Sequence, residues 1–227
     1  MGTVALAGSS LASGRRASAD PLQTLKIGDG DLQAAADRSA VTDVILRERL
    51  ARELHDPDEE AACFQPGATV AVSWFKGSAA AFIQSGGQTP STKTVNFDSM
   101  SPPVITLNQD RATADAACAV HTFTQLEGVE VSSISYTRLL WRVQKARGRW
   151  LIASLECIYI RDELGPRDPG QLLKLDPNRL NRYRESYRYL SYILTASGRP
   201  CYDDLPGVDR PETVAAVRAS ARAWMAM

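Results

Sequence analysis

Three long strands in succession, Arg111–Gln125, Val131–Arg147 and Trp150–Arg161, constrain this chain more than any other stretch. Each alternates side-chain character with a period of two, as a half-buried strand requires. The intervening turns hold Glu127-Gly128 and Arg147-Gly148-Arg149, so the strands are expected to pair as an antiparallel meander. Strands of this length twist, and a long twisted sheet curls. A curled sheet has a concave face that helices from elsewhere must cover, and what fills that concavity is expected to decide what the chain does.

The covering helices are sought on either side. Upstream, Asp31–Leu54 carries apolar residues near helical spacing at Leu32, Ala36, Ala40, Val44, Leu50 and Leu54, widened by Val41 and Ile45. Pro57 ends this helix by disfavouring the α conformation at Asp56, and a short helix restarts over Asp58–Cys63. A strand over Thr69–Phe75, a short helix over Ser78–Gln84 capped by Ser78, and a polar loop over Thr89–Thr92 follow. Lys93–Leu107 reads as a strand bent by Pro102-Pro103, and therefore an edge strand or a bulged one. Downstream of a Gly/Pro-rich loop, Asp176 and Pro177 open a helix running to Gly198, with its stripe at Leu180, Tyr183, Tyr187, Leu190, Ile193 and Leu194. Pro211–Met225 forms the last helix. The organisation predicted is a disordered leader over 1–30, an α+β domain over 31–164 and a C-terminal helical extension over 165–227.

Lys+Arg and Asp+Glu both number 26, so no net field draws the chain to nucleic acid. No apolar run approaches the roughly 20 residues that span a bilayer. The four cysteines, Cys63, Cys118, Cys157 and Cys201, have no metal-binding spacing and read as small buried hydrophobes of a reduced, cytoplasmic protein. Against that, Ala17-Ser18-Ala19 has the form of an export cleavage site, although no basic residue precedes the apolar part. Glycine-rich phosphate loops, a GxSxG elbow and HExxH are all absent, which leaves a nucleotide reading without support and weighs against the α/β-hydrolase and zinc readings. No cofactor or metal is expected.

Local signatures then accumulate in order. His55-Asp56-Pro57-Asp58-Glu59-Glu60 follows the long helix, Gly67-Ala68-Thr69-Val70 enters the first strand, and Trp74-Phe75-Lys76-Gly77 leaves it. Asn108-Gln109-Asp110-Arg111-Ala112-Thr113-Ala114 enters the central strand, and Gly148-Arg149-Trp150-Leu151-Ile152-Ala153 begins the last one. Over Ala36–Asp162 this series resembles the SnoaL-like group of the nuclear transport factor 2-like superfamily. The resemblance implies a cone-shaped α+β barrel in which a curved antiparallel sheet wraps the long N-terminal helix, with a hydrophobic pocket at the wide end. It implies either cofactor-independent acid-base chemistry (dehydration, isomerisation or cyclisation of a small apolar or cyclic molecule) or a non-catalytic ligand-binding or dimerisation module.

The candidate site residues follow from both lines. His121 shares a strand face with Ala117, Ala119, Phe123 and Gln125, so it is either the principal acid/base of a pocket or a hydrogen-bonded sheet histidine. His55 and Asp56 lie where dehydratase-like members carry a catalytic Asp, yet both also suit helix capping. Where the resemblance implies a dyad histidine, this chain has Asn96-Phe97-Asp98; Asp98 is either the replacement base or a solvated strand residue, and Asn96, which cannot act as a base, is a candidate substrate contact. Phe123, Tyr136 and Trp141 are the remaining candidate substrate contacts. Glu156 is expected to pair with Arg138 or Arg142. A homodimer through the outer sheet face is expected, because an apolar sheet face needs covering.

Overall fold

The computed structural model describes residues 28–86 and 94–227. Residues 1–27 of the proposed leader, its cleavage-like site and the Thr89–Thr92 loop lie outside the described residues, while Asp29 and Gly30, also assigned to the leader, belong to the first helix. Helix α1 spans Asp29–Leu54 and stops at His55, whose backbone takes the left-handed conformation (φ 55°) before Pro57. Asp56 then caps α2, Pro57–Cys63, accepting the Glu59 N–H at 3.0 Å. Strands β1 (Phe64–Val72) and β2 (Phe75–Ser78) and helix α3 (Ala79–Gly86) follow.

The meander is present as β5 (Arg111–Leu126), β6 (Val129–Ala146) and β7 (Arg149–Pro166). Its turns place Glu127, Gly128, Arg147 and Gly148 at positive φ, the geometry that a tight hairpin of right-twisted strands demands. The bent strand is split into β3 (Val95–Met100) and β4 (Val104–Asn108), which pair with successive parts of β5. Pro102 and Pro103 fall in the gap between them, on the sheet edge, where no N–H is needed.

The sheet order is β2-β1-β7-β6-β5-β3, with β4 also on β5, so the sheet does not close. One expectation is corrected here: the sheet is mixed, because β1 pairs with β7 in parallel. The chain reaches β1 from the helices rather than by a hairpin, which leaves its direction free.

A second correction concerns α1. Its buried stripe is Val41, Val44, Ile45, Glu48 and Ala51, whereas Leu32, Leu50 and Leu54 are exposed. The spacing i, i+3, i+4, i+7 continues through Glu48, a charged residue that masks the stripe in sequence. Val41, Val44 and Ile45 of this stripe share one core with Ala112, Ala114, Ala116 and Cys118 of β5, Leu139 and Trp141 of β6, and Leu155 and Cys157 of β7. Even-numbered β5 residues as far as Cys118 therefore face the helix, and odd-numbered ones face outward.

The C-terminal extension covers both faces. The single helix expected from Pro177 to Gly198 is broken. Helix α4 is only Pro177–Leu180, a 3₁₀ turn follows over Glu185–Tyr187, and α5 spans Arg188–Ala196. Two side chains explain the break. Arg184 is buried and donates to Asp209 and to the carbonyls of Asp203 and Leu205. Asp162 of β7 accepts the Leu190 N–H at 2.8 Å and so starts α5 afresh. Helix α5 lies on the inner face beyond α1, against Leu126 and Val131, while α6 (Pro211–Ala226) lays Val214, Val217 and Ala221 on Leu140 and Ile158 of the outer face.

Candidate functional site

Sheet register brings the polar candidate side chains of the inner face into rows. Asp98 of β3, Val120 of β5, Ser135 of β6 and Asp162 of β7 form one transverse row on the inner face. The adjacent row is Asn96, Thr122, Ser133 and Leu164. Two sequence-predicted residues, Asn96 and Asp98, therefore share the inner face at the edge nearest α1.

Asp98 is held by two residues of α1. Its carboxylate lies 3.3 Å from Arg49 Nη1, its backbone N–H donates to Glu53 Oε1 at 2.7 Å, and its side chain keeps 14% of its surface exposed. Arg49 in turn donates through Nε to Glu48 at 2.6 Å and through Nη2 to the other Glu48 oxygen. Glu48 is fully buried. Burial alone pulls the Arg49 guanidinium down, but the charges of Glu48 and Asp98 outweigh it and hold the group above its usual range. One turn on, Arg52 pairs with Glu60 at 3.0 Å and lies over the Phe82 ring at 3.7 Å. Burial raises the Glu60 carboxyl and Arg52 opposes that rise. The result is an alternating acid–guanidinium lattice at the C-terminal end of α1.

Asn96 is oriented by Thr122, whose hydroxyl donates to Asn96 Oδ1 at 2.8 Å. That bond leaves the amide nitrogen of Asn96 without a partner among the described residues, facing the same edge as Asp98. Farther across the sheet the inner face is covered. Tyr187 packs on Tyr159 with ring centroids 4.5 Å apart and planes tilted by 46°, and it donates to the Tyr202 carbonyl at 3.0 Å, while the Tyr159 hydroxyl accepts the Ser73 N–H at 2.7 Å. Beneath this cover Ser135 Oγ is buried with no hydrogen-bond partner. Burial lifts the Asp162 carboxyl to about 6, against the backbone N–H groups of Leu190, Tyr189 and Arg188, which lower it. Cavities of about 380 and 220 Å³ lie beside Gly128 and Arg167, and beside Leu126 and Ile193, away from Asp98.

The other predicted residues do not converge on Asp98. His121 lies on the outer face, stacked on its register partner Phe97 with ring centroids 4.3 Å apart. Phe123 and Tyr136 share that outer face. Parity grouped His121 with Phe123 correctly in sequence, but the group faces away from the core, where Ala112, Ala114, Ala116 and Cys118 are buried with the α1 stripe. Trp141 does face inward, yet it is fully buried in the core against the α1 stripe. His55 and Asp56 are exposed at the α1–α2 corner in capping roles. The expected ion pair is found at Arg142–Glu156, 3.6 Å, while Arg138 pairs with Asp115 at 2.6 Å. Burial pushes the Cys63 thiol to about 11 and the Cys157 thiol to about 12, so neither is poised as a nucleophile.

Sequence reasoning missed Glu48, Arg49, Glu53 and Thr122. A signal existed for the first: a glutamate at the i+4 position of Val44 and the i+3 position of Ile45 interrupts the apolar stripe, and a charge there requires a partner. Arg49 and Thr122 carry no comparable mark.

A model of the SnoaL-like domain matches residues 33–156. An uncharacterized protein of Emericella nidulans is 34% identical over 108 residues, which is 42% of this chain and 45% of that protein. The chain thus spans less than half the length of this curated relative. Among solved structures, a type 2 hexachlorocyclohexane dehydrochlorinase (LinA) superposes with a TM-score of 0.52 at 11% identity, covering 65% of this chain and 99% of that one. A protein of unknown function from Mycobacterium tuberculosis superposes at 0.50 with 17% identity, covering 79% and 99%. At these identities the likeness is one of fold.

Proposed function

The chain belongs to the SnoaL-like domain family, and from that premise we propose that it is a cofactor-independent acid–base lyase or isomerase acting on a small apolar or cyclic molecule. The observation that carries this reading is the pairing of Asp98 with Asn96 on one face of one strand. Residues two apart on a strand lie about 7 Å from each other. That spacing lets a carboxylate remove a proton from carbon while an amide N–H polarises an oxygen elsewhere on the same small molecule. Asp98 takes the C–H proton. Asn96, its carbonyl already occupied by Thr122, offers its amide nitrogen to the substrate oxygen. Arg49 balances the carboxylate at 3.3 Å and is itself braced by Glu48. The role of base thus passes from His121, on the far side of the sheet, to Asp98.

The test uses a substrate that needs only a base. In 5-nitrobenzisoxazole, loss of the ring C–H proton opens the N–O bond and releases a coloured cyanonitrophenolate. The wild-type chain is expected to accelerate this opening over acetate at equal concentration, and Asp98→Asn to lose about 100-fold or more of that rate. Equal rates for wild type and Asp98→Asn would sink the assignment. The cover over the centre of the inner face favours a second reading, a ligand-binding module without chemistry. Under that reading neither protein accelerates the probe.

A further inference from the structure

Glu48 is the group on this face whose burial needs an explanation. It is fully buried within the apolar stripe of α1, and its carboxylate accepts only from Arg49 among the described residues. A buried carboxylate is expensive even when paired with one cation, and an apolar side chain of similar volume is the usual occupant of such a position. What distinguishes Glu48 is which part of Arg49 it holds. It takes Nε and Nη2, one whole edge of the guanidinium fork, so that only Nη1 reaches Asp98, at 3.3 Å. A guanidinium left alone with a carboxylate prefers to engage both of its oxygens through two parallel N–H bonds.

We propose that Glu48 is a positioning residue that keeps the Arg49 fork off Asp98, leaving the Asp98 carboxylate with one long contact and free to take a proton. This rests on the reading of Asp98 as the base. The backbone of Asp98 is tied to α1 by Glu53, so the strand cannot retreat from a reoriented Arg49. The charged or titratable groups around Arg49 are Glu48, Arg52 and Glu53 on α1, Glu60 on α2, Asp98 on β3, Cys118 on β5 and Cys157 on β7. Glu48 alone among them binds the same guanidinium edge that Asp98 would otherwise receive.

The experiment measures 5-nitrobenzisoxazole opening by the full chain across pH. Glu48→Gln releases the fork toward Asp98. Its kcat is expected to fall about tenfold or more with KM nearly unchanged, and the acid limb of its pH profile to move to lower pH. The double variant Glu48→Gln with Arg49→Gln removes the released cation and is expected to recover most of the lost kcat. Glu48→Asp keeps the charge and serves should Glu48→Gln not fold, with kcat retained within about threefold. An unchanged kcat in Glu48→Gln, or a double variant no faster than Glu48→Gln, overturns the proposal. Failure of the underlying reading shows separately, as Asp98→Asn retaining the wild-type rate.

Discussion

Asp162 makes the stability of this protein depend on mild acidity in an unusual direction. Its side chain is 3% exposed, on the inner face, with the first turn of α5 above it. Burial raises its carboxyl from 3.8 to about 6, even though three backbone N–H groups favour the charge. The folded chain therefore holds this proton more tightly than the unfolded chain. The contribution to stability is complete below about pH 4 and is lost as pH rises through about 6. The displacement corresponds to about 3 kcal/mol. For a chain of this size that is about 6–12 °C in melting temperature. Asp162→Asn keeps an oxygen for the Leu190 N–H but carries no charge to desolvate. Melting wild type and Asp162→Asn between pH 4 and 7.5 isolates the effect, because the other carboxyls contribute equally to both. The variant is expected to gain on wild type as pH rises, with most of the change between pH 4 and 6. Parallel curves across that window would refute the argument that burial governs this group.

Two further outcomes are expected. Arg49→Met strands the buried Glu48 carboxylate and removes the partner of Asp98, so chemical denaturation should report a loss of ~3–5 kcal/mol; a loss below ~1 kcal/mol would mean that the lattice is not what fixes α1 to β3. On the half of the outer face that α6 leaves open, Val95, Phe97, Phe123 and Tyr136 are 58, 39, 38 and 36% exposed. We propose that a second copy of the chain covers this strip. Sedimentation should then show a concentration-dependent dimer that Phe97→Ser with Phe123→Ser disperses, and a monomer at all micromolar concentrations would count against it.

The path to the site was partly written in the chain. The alternation in β5 grouped His121 with Phe123 on one face, and the Pro102-Pro103 pair foretold a broken edge strand. Asp98 and Asn96 were also picked out, by their place on the strand after α3. What could not be read was which alternate set faces the helix. Period two assigns residues to two faces and says nothing about which face is inside. The decision came from packing: Ala112, Ala114 and Ala116 are buried in the same core as the Val41, Val44 and Ile45 stripe of α1. That choice sent His121 outward and turned Asp98 toward Arg49.

The C-terminal segment gives the complementary case. Its stripe from Leu180 to Leu194 has helical spacing throughout, and local propensity alone would continue one helix to Gly198. The break at Arg184 depends on Asp209 and on carbonyls of residues 203 and 205, and the restart of α5 depends on Asp162. These partners come from 19 to 28 positions away in sequence.

By itself the amino-acid sequence determined the meander, its tight turns, the helix stop at Pro57 and the edge strand, since all of these rest on local conformational and periodic constraints. Only the tertiary structure decided the parallel β1–β7 pairing, the inner face of β5, the Glu48–Arg49–Asp98 arrangement and the broken extension. Each of those depends on which distant groups satisfy a buried charge or fill a packed surface, and that is settled when the elements meet.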